Sequence, residues 1–571
     1  MAQLYHLKVT HFRGLEHFEQ TFGKGITCII GRGDSGKSTI LDAIAFVFSQ
    51  SWSIHLNDSD FYGCNTDTPI VIEGTVVDVP GELIDKFGKH LRCVREDGAA
   101  IIDDMESPAV INAITALTIQ FRVGKDLEPV WSVVSYNGEE PSVIKATDRG
   151  KLNVFAVSDY TDRHFSLNKG NPLYALYKQL NDGIIPDDDN RVLDVVRDAK
   201  VAFDASIDNK FNAVLIKLKT EAAKLGITLN EMKAMLDHKD IAISENKVSI
   251  HENGIPFRLK GKGSKRLLSL AIQLALTQPS GVILIDEVEQ GLEPDRVQNL
   301  VNALSRYRDT QVMISTHSSN VIVEIPCDSL FIMRKGAGSL IHVEGELQGS
   351  IRKNPEAFFA EKVLVCEGAT EVGICRAINK WRIKAGKVSA ACKGVRFADG
   401  SGQELEDYVV GFRTLSYQTA LFCDSDADVI NGQKQAFLDQ GITLIDCEDN
   451  YAIEQQIFKD VPWKVVQELI PIAEQKLMED YGKTLEEAED SVFSSTNDRL
   501  LHKFASKDHW LDNDNEELRD ALGLASKKKN WYKRQSYGEL LGQIVLSHYG
   551  DLSDGCKLKC EIDAISNWID T

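Results

Sequence analysis

The stretch ITCIIGRGDSGKSTIL, residues 26–41, opens as an apolar run, breaks into a glycine-rich loop and resumes as a helical pattern. Gly31 to Ser38 fits G-x-x-x-x-G-K-[ST], between a strand ending at Ile30 and a helix beginning near Ser38, which is the context that pattern requires. Its glycines let the backbone N–H groups of Arg32, Gly33, Asp34, Ser35 and Gly36 curl around phosphates. The helix N-terminus adds partial positive charge, Lys37 neutralises phosphate oxygen, and Ser38, beside Thr39, ligates magnesium.

Outward from this loop, 571 residues exceed what one hydrophobic core supports, so two or more domains are expected. The composition, 43% hydrophobic and 26% charged, is that of a soluble globular protein. A net charge of -21 argues against a DNA-coating role and leaves nucleic-acid contact to local basic patches. The 11 cysteines are scattered without a CxxC pair, which reads as reduced thiols. With no leader-like N-terminus and no long apolar run, the expected location is cytoplasmic.

The expected fold class is α/β. Residues 1–171 and 241–350 read as two parts of one domain, split by a charged helical insertion at 172–240 that is a plausible dimerisation element; 351–571 form a second domain. Residues 69 to about 160 carry strand-like runs (PIVIEGTVVDV, LTIQFRV, VWSVVSY, LNVFAV), suggesting a β-rich lobe. Later strands are expected at VILIDE, QVMIST and SLFIMR, and Ile351 to Glu361 reads as a linker.

GVILIDEVE, residues 281–289, closes a buried strand on adjacent acids, which needs a reason because an unpaired buried charge is costly. Asp286 suits the magnesium shell, and Glu287 suits orienting or deprotonating an attacking water. His317 directly follows the strand QVMIST, in the place of a γ-phosphate sensor. This trio resembles the ABC-type ATPases, particularly the branch with structural-maintenance and RecF-like proteins. The resemblance implies ATP as ligand and two heads sandwiching it, each giving a signature loop to its partner. Leu259-Lys260-Gly261-Lys262-Gly263 is the candidate for that loop. It departs from LSGGQ, with Lys260 in place of the serine, leaving the lysines, Gly261 and the Gly263 amide to meet phosphate. EQGLEP, residues 289–294, occupies the D-loop's place.

In the second domain KVLVCEG brings Glu367 to a strand end, with Glu371 one helical turn on. TALFCDSDADV then brings Asp424 and Asp426 to another strand end, on one face if the strand runs that far. Asp428 shares their parity only if it continues through Ala427. Two acids on one face repel unless a cation lies between them. Glu-Gly after one strand and DxD after a later one resemble the TOPRIM fold. An ABC-type ATPase followed by TOPRIM resembles the OLD (overcoming lysogenization defect) nucleases, which include the nuclease subunit of the Gabija antiphage system. The resemblance implies a DNA endonuclease using two Mg2+ (or Mn2+ or Ca2+) ions, with Glu367 and Glu371 in one cluster and Asp424 and Asp426, with Asp428, in the other. A further acid falls at Glu454, preferred to Glu448, and a late basic residue at Lys533 within SKKKNWYKRQSYG, a segment that also reads as a DNA-contacting basic patch interleaved with Trp531 and Tyr532. DNA, a homodimer or homotetramer, and a UvrD-like helicase partner are the implied partners. The alternatives are a DNA-repair or chromosome-maintenance ATPase that binds without cutting, and a topoisomerase or primase.

Overall fold

Ile26–Ile30 is buried from Thr27 onward, as expected of a strand covered on both faces of a parallel sheet. In the computed structural model it lies in a six-stranded sheet ordered Val154–Val157, Val282–Ile285, Gln311–Ser315, Ile26–Ile30, Leu330–Ile332, Ile341–His342. All neighbours are parallel except the last pair. The ends of the phosphate-loop strand and of the strand preceding Asp286 therefore share one sheet edge, with Gln311–Ser315 between them. That is where open α/β sheets bind ligands. The structure describes residues 2–51, 53–95, 101–102, 113–157, 164–167, 171–180, 211–236, 248–277, 281–307, 310–344, 347–401, 404–426, 428–482 and 514–571.

The chain divides into two units, Met1–Val343 and Glu344–Thr571. In the first, helix Lys37–Val47 lies in one core with the parallel sheet and an eight-stranded sheet whose named pairings are antiparallel. Ile40, Ile44 and Val47 are buried in the same cluster as Leu7, Val9, Ile72, Leu284 and Met313. Gly74 makes the close fit: a Cβ there would stand 2.5 Å from the Phe48 ring.

The structure adds one strand and corrects other sequence expectations. Leu15–Thr21 is a strand, paired with Gln3–Phe12 across the Arg13-Gly14 turn. Its lone buried positions, Leu15 and Phe18, make its pattern too weak to read alone. The run LNVFAV leaves the β-rich lobe and joins the parallel sheet beside Val282–Ile285. In the expected helical insertion, Pro172–Leu180 and residues 211–224 are helical. Met232–Leu236 is instead a strand in a three-stranded sheet, after Gly226 turns the chain at φ 76°. Residues 181–210 and 237–247 of the insertion and its flank lie outside the described residues.

In the second unit four parallel strands are ordered Val395–Asp399, Lys362–Cys366, Gln418–Cys423, Thr443–Asp446. The expected linker is part of this unit: Gln348–Lys353 is helical, Pro355–Phe359 forms a 3-10 turn, and Ile351 and Phe358 are fully buried. Helices Ala369–Lys384 and Gln535–Ser547 cross closely because their contact carries glycines. A Cβ on Gly373 would meet the Gln535 carbonyl at 2.5 Å, and one on Gly538 the Thr370 carbonyl at 2.4 Å. Among the described residues no helix is long and apolar enough to cross a membrane.

Helix Lys557–Asp570 buries Glu561. Burial, opposed by Lys557, pushes its pKa up to about 8. A carboxyl raised in the folded state favours folding while protonated. That contribution is full below its unfolded value near 4.3 and is lost as pH rises through about 8. Glu561→Gln is expected to leave stability at pH 4 unchanged and to raise the melting temperature at pH 8.5 by roughly 5 °C, the effect of relieving a buried charge of about 1–3 kcal/mol. Thermal scans at the two pH values check it, and equal shifts at both would refute it.

Candidate functional sites: a phosphate loop and a carboxylate cluster

The phosphate loop in the first unit is held in a curl that ordinary residues resist. Gly31 has φ 151° and Gly36, the residue before the helix, φ 105°. A Cβ on Gly31 would stand 2.4 Å from the Met333 carbonyl. Lys37 is buried and donates to the Gly31 and Arg32 carbonyls, each at 3.0 Å. Burial lowers its pKa, against the opposing pull of Asp286, Glu287, Glu289 and Asp34. Ser35 is 5% exposed and its hydroxyl has no hydrogen-bond partner. An orphaned buried hydroxyl beside a lysine, at the start of a helix, is a donor set that fits a phosphate. Gly33 is exposed and Thr39 half-buried on the same turn.

Across the sheet edge, Ser38 Oγ donates to Asp286 Oδ1 at 3.1 Å, and Ser315 Oγ donates to the same oxygen. The magnesium-shell pair expected from sequence, Ser38 and Asp286, is thus in direct contact. Glu287 follows with its backbone at φ 45°, and its N–H donates to Ser315 Oγ at 2.9 Å. His317 is exposed, and its backbone N–H donates to Glu289 Oε1 at 2.7 Å, while Thr316 Oγ1 donates to Glu289 Oε2 at 2.7 Å. Glu289 was not singled out in the sequence; the apolar-then-acid pattern that marks Asp286 and Glu287 extends one alternation further and includes it.

The signature candidate leads into helix Lys262–Thr277. Lys260 forms an ion pair with Glu252 at 2.8 Å, only 25% exposed, so its ammonium is committed within its own unit. Gly263 lies in the first turn of helix Lys262–Thr277, where a Cβ would meet the Gly291 carbonyl at 2.7 Å. Gly263 is therefore needed for close packing of this helix on the EQGLEP segment. Gly261 and Lys262 are exposed.

In the second unit four acids converge at the strand ends. Glu367 follows Lys362–Cys366, and its Oε2 accepts from Asp424 N at 2.9 Å. Glu371, 5% exposed, sits in the first turn of Ala369–Lys384 and accepts from Gly368 N at 2.8 Å. Asp424, 9% exposed, accepts from Ile453 N at 2.8 Å. Glu454, 7% exposed, begins helix Ile453–Asp460 and accepts from Thr370 Oγ1 at 3.3 Å. Burial raises the pKa of Glu371, Asp424 and Glu454, and the acids raise one another. Asp424 feels Glu371, Glu367 and Glu454; Glu371 feels Glu454 and Glu367; Lys533 opposes the rise at Glu454. Glu448, by contrast, is half-exposed and paired with Lys459 at 2.6 Å.

Three expectations for this site change. The strand ends at Cys423, so the parity placing Asp424, Asp426 and Asp428 on one face does not apply. Asp426 instead pairs with Lys527, and helix Asp428–Asp439 begins at Asp428, whose side chain lies outside the described residues. Trp531 and Tyr532 are fully buried, with Tyr532 Oη donating to the Leu469 carbonyl, so neither can stack on a base. Arg534 of the same segment pairs with Asp480. Lys533 is exposed and close enough to lower the pKa of Glu454.

As to a metal, the donor chemistry fits a hard divalent cation: clustered, buried, mutually repelling carboxylates. Among the described residues, however, no three His, Cys, Asp or Glu side chains stand in ligating geometry about one point. Each acid has one oxygen turned to a backbone N–H, to Thr370 or, for Asp426, to Lys527.

Two family models match within the first unit. Residues 6–106 match a family described as "AAA domain", and residues 131–324 one described as "AAA domain, putative AbiEii toxin, Type IV TA system". The DNA replication and repair protein RecF of Streptococcus equi subsp. zooepidemicus (strain MGCS10565) is 21% identical over 371 residues, covering 58% of this chain and 97% of its own. RecF of Streptococcus equi subsp. equi (strain 4047) is 21% identical over 367 residues, covering 58% and 96%. Among solved structures, an Smc head bound to the C-winged helix domain of ScpA is 17% identical, covers 59% of this chain and 96% of its own, and has a TM-score of 0.38. RecF with ATP is 17% identical, covers 60% and 98%, and has a TM-score of 0.34. The family matches fall on the α/β unit that carries the phosphate loop, and there the chain is similar to AAA-type ATPase domains.

Proposed function

We propose that the chain is an ATP-regulated, divalent-metal-dependent DNA endonuclease of the OLD type, with ATP bound by the head and cleavage carried by the second unit. The observation that carries this reading is the cluster of half-buried Glu367 with buried Glu371, Asp424 and Glu454 at the ends of parallel strands, in which burial and mutual repulsion raise the pKa of the three buried acids. Such a cluster opposes folding unless something selects for it, and a cation-dependent reaction is such a selection. Bound divalent cations would supply Lewis-acid stabilisation of charge on phosphate oxygens. Glu367, Glu371, Asp424 and Glu454 would hold them, Asp426 joining if Lys527 leaves it. Lys533, beside Glu454, would meet the phosphate. In the head, Lys37, Ser35 and the loop N–H groups would bind the nucleotide phosphates, Ser38 and Asp286 would hold its magnesium, and Glu287 would take a proton from the attacking water.

Assembly through paired heads follows from the ABC resemblance, giving a dimer or tetramer. A role against phage DNA, with or without a helicase partner, follows from the resemblance to OLD and Gabija nucleases. The test is direct. Purified protein incubated with supercoiled plasmid and Mg2+ or Mn2+ should yield nicked or linear DNA, and EDTA should stop it. Plasmid that remains supercoiled under every cation would overturn the nuclease reading.

The second reading, a DNA-repair ATPase that binds without cutting, is favoured by the matches to relatives named as DNA replication and repair proteins and by the absence of three-acid ligating geometry among the described residues. It gives DNA-dependent ATP turnover with intact plasmid.

A further inference from the structure

Glu287 carries a backbone conformation that side-chain-bearing residues avoid. At φ 45° it lies in the left-handed region, which costs a non-glycine residue of order 1–2 kcal/mol and persists only where surrounding bonds fix it. One of those bonds is the Glu287 N–H to Ser315 Oγ, at 2.9 Å. The Glu287 carbonyl also accepts from Gln290 N at 2.8 Å, and further bonds come from one side chain. Arg266, 5% exposed on helix Lys262–Thr277, donates through one terminal nitrogen to the Asp286 carbonyl and, at 2.8 Å, to the Glu287 carbonyl. Its other terminal nitrogen donates to Gln290 Oε1 at 2.5 Å.

We infer that Arg266 is a positioning residue for the ATPase reaction, clamping the turn after Val282–Ile285 so that the Glu287 carboxylate is aimed at the attacking water. The inference rests on the reading of Glu287 as general base. A planar guanidinium can bridge two successive carbonyls and a third acceptor at once, whereas an ammonium cannot hold that fork. The three acceptors span Asp286 to Gln290, so the clamp fixes the turn on both sides of Glu287. The same helix begins with Gly263 packed against the Gly291 carbonyl. The helix that follows the signature segment is thereby tied at two points to the loop bearing the base. A displacement at its N-terminus would reach Glu287 through Arg266. The sequence hides this, because Arg266 stands in SKRLLSLAIQLAL as one of two adjacent basic residues before an apolar run.

The experiment compares Arg266→Lys, Arg266→Met and Glu287→Gln with the full-length protein, measuring ATP turnover, KM for ATP and affinity for ADP. Displacing a catalytic group by about 1 Å costs on the order of a hundredfold, so each Arg266 variant is expected to lose about that much in kcat with ADP affinity within about twofold. The double variant Arg266→Met with Glu287→Gln is expected to be no slower than Glu287→Gln alone, since the clamp acts through the group already removed. Unchanged kcat in Arg266→Lys and Arg266→Met, with Glu287→Gln impaired, overturns the inference alone. Unimpaired Glu287→Gln overturns the general-base reading and the inference with it. If Arg266→Met fails to fold, Arg266→Lys decides. Losses that multiply in the double variant also overturn the inference, because they mark a structural role independent of Glu287.

Discussion

Lys37→Ala is expected to abolish nucleotide binding and ATP turnover while leaving the chain folded. Lys37 is the one side chain whose ammonium is buried inside the curl of the phosphate loop, bonded to the Gly31 and Arg32 carbonyls at 3.0 Å. Its lowered pKa shows that burial outweighs four nearby acids, Asp286, Glu287, Glu289 and Asp34. A phosphate entering the loop would meet Lys37 as a charge ready to leave its two carbonyls. Without it, phosphate oxygens would face the carbonyls and carboxylates unopposed. Losing one partner of such a buried charged contact costs about 3–5 kcal/mol, a loss in ATP affinity on the order of a hundred- to several-thousandfold. Equilibrium binding of a fluorescent ATP analogue and phosphate release report it. Wild-type turnover by Lys37→Ala would refute the site. Whether plasmid nicking by this variant rises or falls tells the direction of ATP control over the second unit.

The parts legible in the sequence are those in which chemistry is written in contiguous residues. The loop from Gly31 to Ser38 needs its glycines and lysine at fixed spacing, and the acids after Val282–Ile285 stand out because an apolar run ends on charge. Both lie at one sheet edge, and the structure puts Ser38 on Asp286. The acids Glu367, Glu371, Asp424 and Glu454 were likewise readable, each following a strand or opening a helix. What could not be read is what those residues touch. Lys260 looks like a replacement for a phosphate-binding serine until its partner Glu252 is seen on the adjacent strand. Asp426 looks like a ligand equal to Asp424 until the strand ends three residues before it and Lys527, about a hundred positions away, takes its carboxylate. Trp531 and Tyr532 look like a stacking platform because aromatics beside lysines have the same local pattern in a core as at a nucleic-acid surface. Arg266 acts largely on backbone carbonyls, which carry no residue identity and so leave no trace in any motif.

Asp424→Asn is expected to remove metal-dependent nicking and, at the same time, to make the protein more stable. Asparagine keeps an oxygen to accept from Ile453 N, now at 2.8 Å, so the junction between the Gln418–Cys423 strand end and helix Ile453–Asp460 is retained. What is lost is the charge. Asp424 is 9% exposed, and burial first, then Glu371, Glu367 and Glu454, hold its carboxyl in the protonated form well above the usual carboxylate range. Its ionised form is therefore a burden on the fold near neutral pH unless a cation is bound. The sign follows from linkage: a raised carboxyl favours folding at low pH and loses that contribution as pH rises. In EDTA at pH 8 the variant should melt several degrees above wild type, since relieving about 1 kcal/mol in a unit of this size moves the midpoint by about 2–4 °C. Nicking with Mg2+ should fall by about three orders of magnitude, or about 4 kcal/mol in the transition state, the size of a lost ligand to catalytic cations. A residue that merely supports the fold would lower both stability and activity, whereas opposite signs mark a site whose repulsion is retained for chemistry. Wild-type nicking by Asp424→Asn would remove the nuclease assignment. A lower melting temperature in EDTA would show instead that the four acids do not repel one another as their arrangement implies.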